Sequence, residues 1–164
     1  MPPGWLIANK KYLVSNIHDG GHWQTVDHDA EIAQVENYDK RSKGNTRNLI
    51  KMLKAWQREC NVPIKSLVLE LRSVNFLNSW EYYEKDRTYY DWMVRDFFGE
   101  LIKRKNYTCK MPGTEEKIEY GNEWLSRAES AFSRATNACQ FETDKKESKA
   151  AEEWRKIFGS QYEF

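Results

Sequence analysis

The segment Asn48–Leu71, NLIKMLKAWQRECNVPIKSLVLEL, decides how the chain reads. Leu49, Leu53, Trp56 and Cys60 recur at steps of four, three and four, the spacing that puts side chains on one face of an α-helix. Arg47, Lys51, Lys54 and Arg58 follow the same steps displaced by two residues, which turns them to the opposite side. The pattern predicts a helix with a dry face and a cationic face. Pro63 suits the first turn of a second helix. The run IKSLVLELRSVNFL that follows is apolar on most sides and predicts a helix buried by its neighbours.

Downstream, Trp80, Tyr83, Tyr90, Val94, Phe97 and Leu101 form an apolar stripe, which predicts one long amphipathic helix over residues 79–104. Arg87 is the misfit inside that stripe; either its stem packs while its head reaches water, or it pairs with a buried acid. KNYTCKMPGTEEKIEYGN reads as a loop, broken by Pro112, Gly113 and Gly121. Ala128, Ala131, Ala135 and Ala138 then recur at three, four and three, a small-residue face that lets another helix approach closely. SKAAEEWRKIFG predicts a last helix, stopped by Gly159. Upstream, WLIANKKYLVSNI (residues 5–17) predicts one or two short strands, HDGGHW a loop, and residues 29–39 a short helix. The fold class is therefore mainly α. A helical domain over 29–164 follows a short extended or β segment over 1–28, with no repeat and no linker long enough to split the chain.

Composition narrows the partners. The 164 residues carry 26 Lys+Arg against 25 Asp+Glu, so the chain as a whole is not adapted to coat nucleic acid, and any cationic function has to come from a local patch. Aromatic residues make up 14%, which favours a packed core. Cys60, Cys109 and Cys139 are widely spaced and odd in number, which suggests reduced thiols and a cytoplasmic protein. The first residues lack the long apolar run of a signal peptide or membrane span.

The candidate chemistry is sparse. Asp27 and Asp29 form a D-x-D that could hold magnesium, but Asp29 reads better as the N-cap of AEIAQV, and no glycine-rich phosphate loop precedes it. His18, His22 and His28 have no cysteine or carboxylate set to complete a metal site at familiar spacing. No G-x-S-x-G elbow supports a nucleophile. The row Arg47, Lys51, Lys54 and Arg58 is either a solvated helix face or an electropositive wall for phosphate.

Three separated stretches carry a resemblance. Asn48–Leu71 is similar to the LLKAW and IKS-LE helix pair of the bacterial CD-NTases, relatives of cyclic GMP-AMP synthase and oligoadenylate synthase. GGHWQTVDHDAEI resembles the segment before that pair, and the run from Gly121 to Phe164 resembles the family's alanine-rich end with its W-R-K-I-F-G signature. The resemblance covers nearly the whole chain, but only the C-terminal half of the family: the Gly-Ser turn and the metal-binding acids of its nucleotidyltransferase core have no counterpart here. It implies a fragment or truncated product, inactive alone, from an enzyme that makes cyclic or linear oligonucleotide second messengers in CBASS-type antiphage defence. It implies that Lys54 and Ser66 contact the NTP triphosphate, with Arg47, Lys51 and Arg58 as neighbours by helical geometry only. It also implies Mg2+ in the complete enzyme, an N-terminal catalytic domain or chain as partner, and room for a regulatory protein partner. No metal ligand and no catalytic residue is expected in this chain. The rival readings are a protein-interaction module that docks through the aromatic stretch near residues 80–104, and a nucleic-acid-binding helical module, which the near-neutral charge disfavours.

Overall fold

The computed structural model describes residues 37, 39–111 and 114–160. The 1–28 segment with its expected strands, most of the helix expected over 29–39, and Asp27, Asp29, His18, His22 and His28 lie outside them. The described chain is mainly helical, as its periodicity requires. Among the described residues, helical positions at 37 and 39–41 precede five α-helices in order: α1 Asn45–Glu59, α2 Ser66–Ser79, α3 Tyr90–Ile102, α4 Leu125–Thr143 and α5 Glu147–Phe158. Between α3 and α4 a small antiparallel hairpin pairs β1, Thr108–Lys110, with β2, Lys117–Glu119, with Cys109 opposite Ile118.

Helix α1 buries Leu49, Leu53 and Trp56 of the expected apolar row, with Ile50 and Met52 beside them, while Cys60, the fourth member of that row, lies just past the helix and is only partly buried. Its first turn is polar but buried. Asn45 donates to the carbonyls of Tyr83 (3.1 Å) and Lys85 (2.7 Å), and the Ser42 and Thr46 hydroxyls share a 2.9 Å hydrogen bond. Burying such groups is tolerable only when they are paired. The effect here is to pin the start of α1 to the loop after α2. The connection between α1 and α2 turns tightly at Pro63, where the Ile64 N–H donates to the Val62 carbonyl at 2.8 Å, and α2 begins at Ser66 rather than at the proline. Helix α2 is buried over much of its surface through Val68, Leu69, Val74, Phe76 and Leu77, with Glu70 and Ser73 buried among them.

The single long helix expected over 79–104 is divided. Trp80 closes α2 in an extended conformation (ψ 131°), residues 81–84 make a turn, and a 3-10 turn at Arg87–Tyr89 leads into α3. The cause is local. The Asp86 carboxylate accepts from the Thr88 backbone N–H (3.1 Å) and from its hydroxyl (2.6 Å), side-chain capping that opens the 3-10 turn. Trp80 still reaches the core on its own side, its indole donating to Asp96 at 3.0 Å. The side chain of Arg87 lies outside the described residues.

The stretch expected to be a loop over 105–122 contains the β1–β2 hairpin, whose Ile118 joins the core while its cross-strand partner Cys109 packs against it, partly buried. The alanine face of α4 is as read: Ala128, Ala131, Ala135 and Ala138 are all buried, and both α3 and α5 pack on this helix. Trp124 is fully buried at its start and donates to the Tyr120 carbonyl at 2.8 Å. Helix α5 ends where Gly159 takes φ 102°, beside the side chain of Glu59; a Cβ there would meet Glu59 Oε1 at 2.8 Å. Helix α5 thus returns to α1 and closes the bundle.

Candidate functional site

Lys54 and Ser66 lie along one seam, between antiparallel α1 and α2. Lys54 Nζ is 2.6 Å from Glu70 Oε1, and one turn away the Ser66 hydroxyl donates to Gln57 Oε1 at 3.3 Å. Gln57 in turn donates to the Ile64 carbonyl at 2.5 Å, which holds the α1–α2 connection against α1. The two cross-links pair position 54 with 70 and 57 with 66, so both residues that the resemblance singled out share a face with each other's partner.

The cationic row is not a uniform wall. Arg47 is paired with Asp39 at 3.5 Å, and Lys54 is engaged by Glu70, while Lys51 and Arg58 are exposed. The Lys54 side chain is 20% exposed and that of Glu70 4%. An ammonium carries three donors, so one salt bridge leaves capacity at a part-exposed nitrogen. Glu70 was missed in the sequence, although a signal was there. It is a lone acid inside the apolar run LVLEL, and a buried carboxylate requires a partner.

A second cluster joins α3 to α4. Donor atoms of Asp91, Cys139 and Glu142 lie within 4.8 Å of one another. Asp91 Oδ1 and Glu142 Oε1 are buried oxygens that no donor faces while both groups are ionised. Burial pushes the Glu142 carboxyl up to about 7, assisted by its hydrogen bond to Asp91, while the Trp154 indole, donating at 3.2 Å, acts the other way. Burial likewise pushes the Cys139 thiol up to about 12, helped by the nearby Asp91 carboxylate and opposed by Arg95. Magnesium takes oxygen ligands, and a thiol held so firmly in its protonated form is the wrong donor, so this cluster does not fit the metal that the resemblance implies. A proton on Glu142 satisfies the orphaned oxygens instead.

This has a pH consequence. The folded Glu142 carboxyl holds its proton up to about 7, against 4.5 for the ordinary group. Its contribution to stability is complete below that ordinary value and is lost as pH rises through about 7. Allowing for solvent screening of a half-buried group, the loss should be about 1 kcal/mol. Urea midpoints measured at pH 5 and pH 8 should fall with pH in the wild type, and the part due to this site should vanish in Glu142→Gln, which keeps the acceptor for Trp154 and offers Asp91 a donor. An unchanged pH slope in the variant would refute the assignment.

Two grooves flank these sites. One, of about 310 Å³, lies between α1, α4 and α5 and is lined by Arg127, Arg134 and Lys156 beside Cys60. Its cations are partly engaged: Arg127 Nε donates to the Cys60 carbonyl at 2.9 Å and Arg134 pairs with Glu153 at 3.3 Å. Burial and the neighbouring Glu59 carboxylate raise the Cys60 thiol, which keeps it protonated. The other groove, of about 440 Å³, lies between α2, α3 and β1. Neither was read from the sequence, although Arg127 and Arg134 stand seven apart on one face of α4. No helix among the described residues is long and apolar enough to cross a membrane. Comparison with protein-family models, with curated proteins and with solved structures gives no match.

Proposed function

We propose that this chain forms one wall of the nucleotide cleft of a cytoplasmic nucleotidyltransferase of the CD-NTase kind, which joins NTPs into cyclic or linear oligonucleotide signals in antiphage defence. The catalytic acids and their magnesium would come from an N-terminal domain or partner chain, and no catalytic role falls on the described residues. The observation that carries the reading is the α1–α2 seam, where Lys54 and Ser66 stand one helical turn apart between the same two helices. Lys54 supplies a point charge to a phosphate oxygen and Ser66 a hydroxyl donor. A triphosphate competes with Glu70 for the Lys54 ammonium and with Gln57 for the Ser66 hydroxyl.

Titration of the full chain with ATP and with GTP tests this. Saturable, salt-sensitive binding is expected, weakened about tenfold in Ser66→Ala, the loss of a hydrogen bond to a charged group. Equal affinity of variant and wild type, or no binding by either, would refute the reading. A protein-interaction module is the second reading, favoured by one observation: Trp92 is 40% exposed and clusters with Tyr82 and Tyr89 at ring separations of 5.8 and 5.4 Å. An interaction module shows no saturable binding in the same titration.

A further inference from the structure

The groove between α2, α3 and β1 has features that its surroundings do not satisfy. Arg72, one turn before Phe76 on α2, and Arg104, just beyond α3, both approach the ring of Tyr107, their guanidinium carbons 5.8 and 5.0 Å from its centroid. Arg104 Nε is buried without a hydrogen-bond partner, and the carboxylate that pairs with this guanidinium among the described residues, Glu100, sits 3.9 Å from Nη2, at the limit of an ion pair. Among the described residues no carboxylate forms an ion pair with Arg72, whose neighbour is the Tyr120 hydroxyl. A buried guanidinium donor without an acceptor is costly, and two guanidiniums at one mouth suit an anion they can grip through paired N–H groups. Phe76 and Phe97 supply apolar floor, and Tyr107 is 38% exposed at the rim, a ring on which a flat ligand can stack. The volume, about 440 Å³, lies in the range of small-molecule sites.

We infer that this groove binds a small phosphate monoester carried on a flat ring, with Arg72 and Arg104 on the phosphate and the apolar wall and Tyr107 against the ring. The site is separate from the α1–α2 seam. Arg72 is two residues from Glu70 on α2, about 200° around the helix, so the groove opens on the side of α2 away from Lys54. The inference therefore stands independently of the proposed nucleotidyltransferase role. Asn75 and Ser79 line the same groove and offer polar groups to the ring edge, and Glu100 offers an acceptor for a ligand hydroxyl or amine.

The test titrates the full chain with three probes: phenyl phosphate, AMP and inorganic phosphate. Saturable binding of at least one ring-bearing probe is expected, at least tenfold tighter than inorganic phosphate. Phenyl phosphate and AMP distinguish a simple aryl ester from a nucleoside ester. Arg104→Gln should weaken the tighter probe at least tenfold, and Arg104→Lys should not restore it, because a point charge lacks the planar fork. Amide chemical-shift changes in the wild-type protein should centre on residues 72–79 and 100–109, a readout that does not depend on any variant folding. Absence of saturable binding, equal affinity for all three probes, or shift changes confined to other helices would overturn the inference.

Discussion

Lys54→Ala should unfold the protein more easily by about 3 kcal/mol, far more than loss of an ordinary surface lysine. Its ammonium lies 2.6 Å from a Glu70 carboxylate whose side chain is 4% exposed, and truncation removes this ion pair from a buried acid. Breaking a buried pair from one side costs about 3–5 kcal/mol; the 20% exposure of Lys54 places the effect at the lower end. The periodicity alone suggested otherwise, since it set Lys54 on a face free of core contacts. The check is a double-mutant cycle by urea denaturation. Lys54→Met with Glu70→Gln should recover most of the loss, because neither partner is then charged. A loss below about 0.5 kcal/mol for Lys54→Ala, the range of surface substitutions, would show that Glu70 is satisfied without it. The same result warns that Lys54→Ala is a poor probe of nucleotide binding, and that Ser66→Ala is the cleaner one.

Trp56→Ala carries the largest expected cost, about 4 kcal/mol, within the range for buried aromatic truncation. Trp56 is fully buried, and its ring meets that of Phe98 edge-on at 4.8 Å, so the change removes burial and an aromatic pair together and opens a cavity where α1 meets α3. Trp56→Phe should cost clearly less. Urea midpoints with an unchanged slope would locate the effect in stability rather than in compactness. A loss under 2 kcal/mol would mean that the core collapses around the gap.

What the sequence made legible follows physical range. Faces set by helical spacing were readable: the apolar row of α1, the alanine face of α4 and the glycine stop of α5 all lie where the periodicity puts them. The break before α3 was not, because the stripe through Trp80 and Tyr90 continues across a turn that Asp86 and Thr88 set by hydrogen bonds of their own. The hairpin was hidden because its strands are three residues each, too short to show alternation. For the candidate sites, Lys54 and Ser66 came from a resemblance, and their common seam depends on two helices meeting. Pairings such as Lys54 with Glu70, Asp91 with Glu142, or Arg72 with Tyr107 join residues of different elements, and no local pattern announces them.

The closure of α5 onto α1 sets the chain-entropy cost of the seams. The Cys60 thiol lies 3.5 Å from the Lys156 carbonyl across 96 residues, whereas Arg134 meets Glu153 across 19. Loop closure grows with the logarithm of length, so the five-fold longer connection costs about 1.4 kcal/mol more to form. The α3–α4–α5 stack is built from near neighbours in the chain, and the α1–α5 seam is its long-distance tie. That tie is also where Gly159, at φ 102°, passes the Glu59 side chain, whose flexible carboxylate end would have to shift to make room for a Cβ.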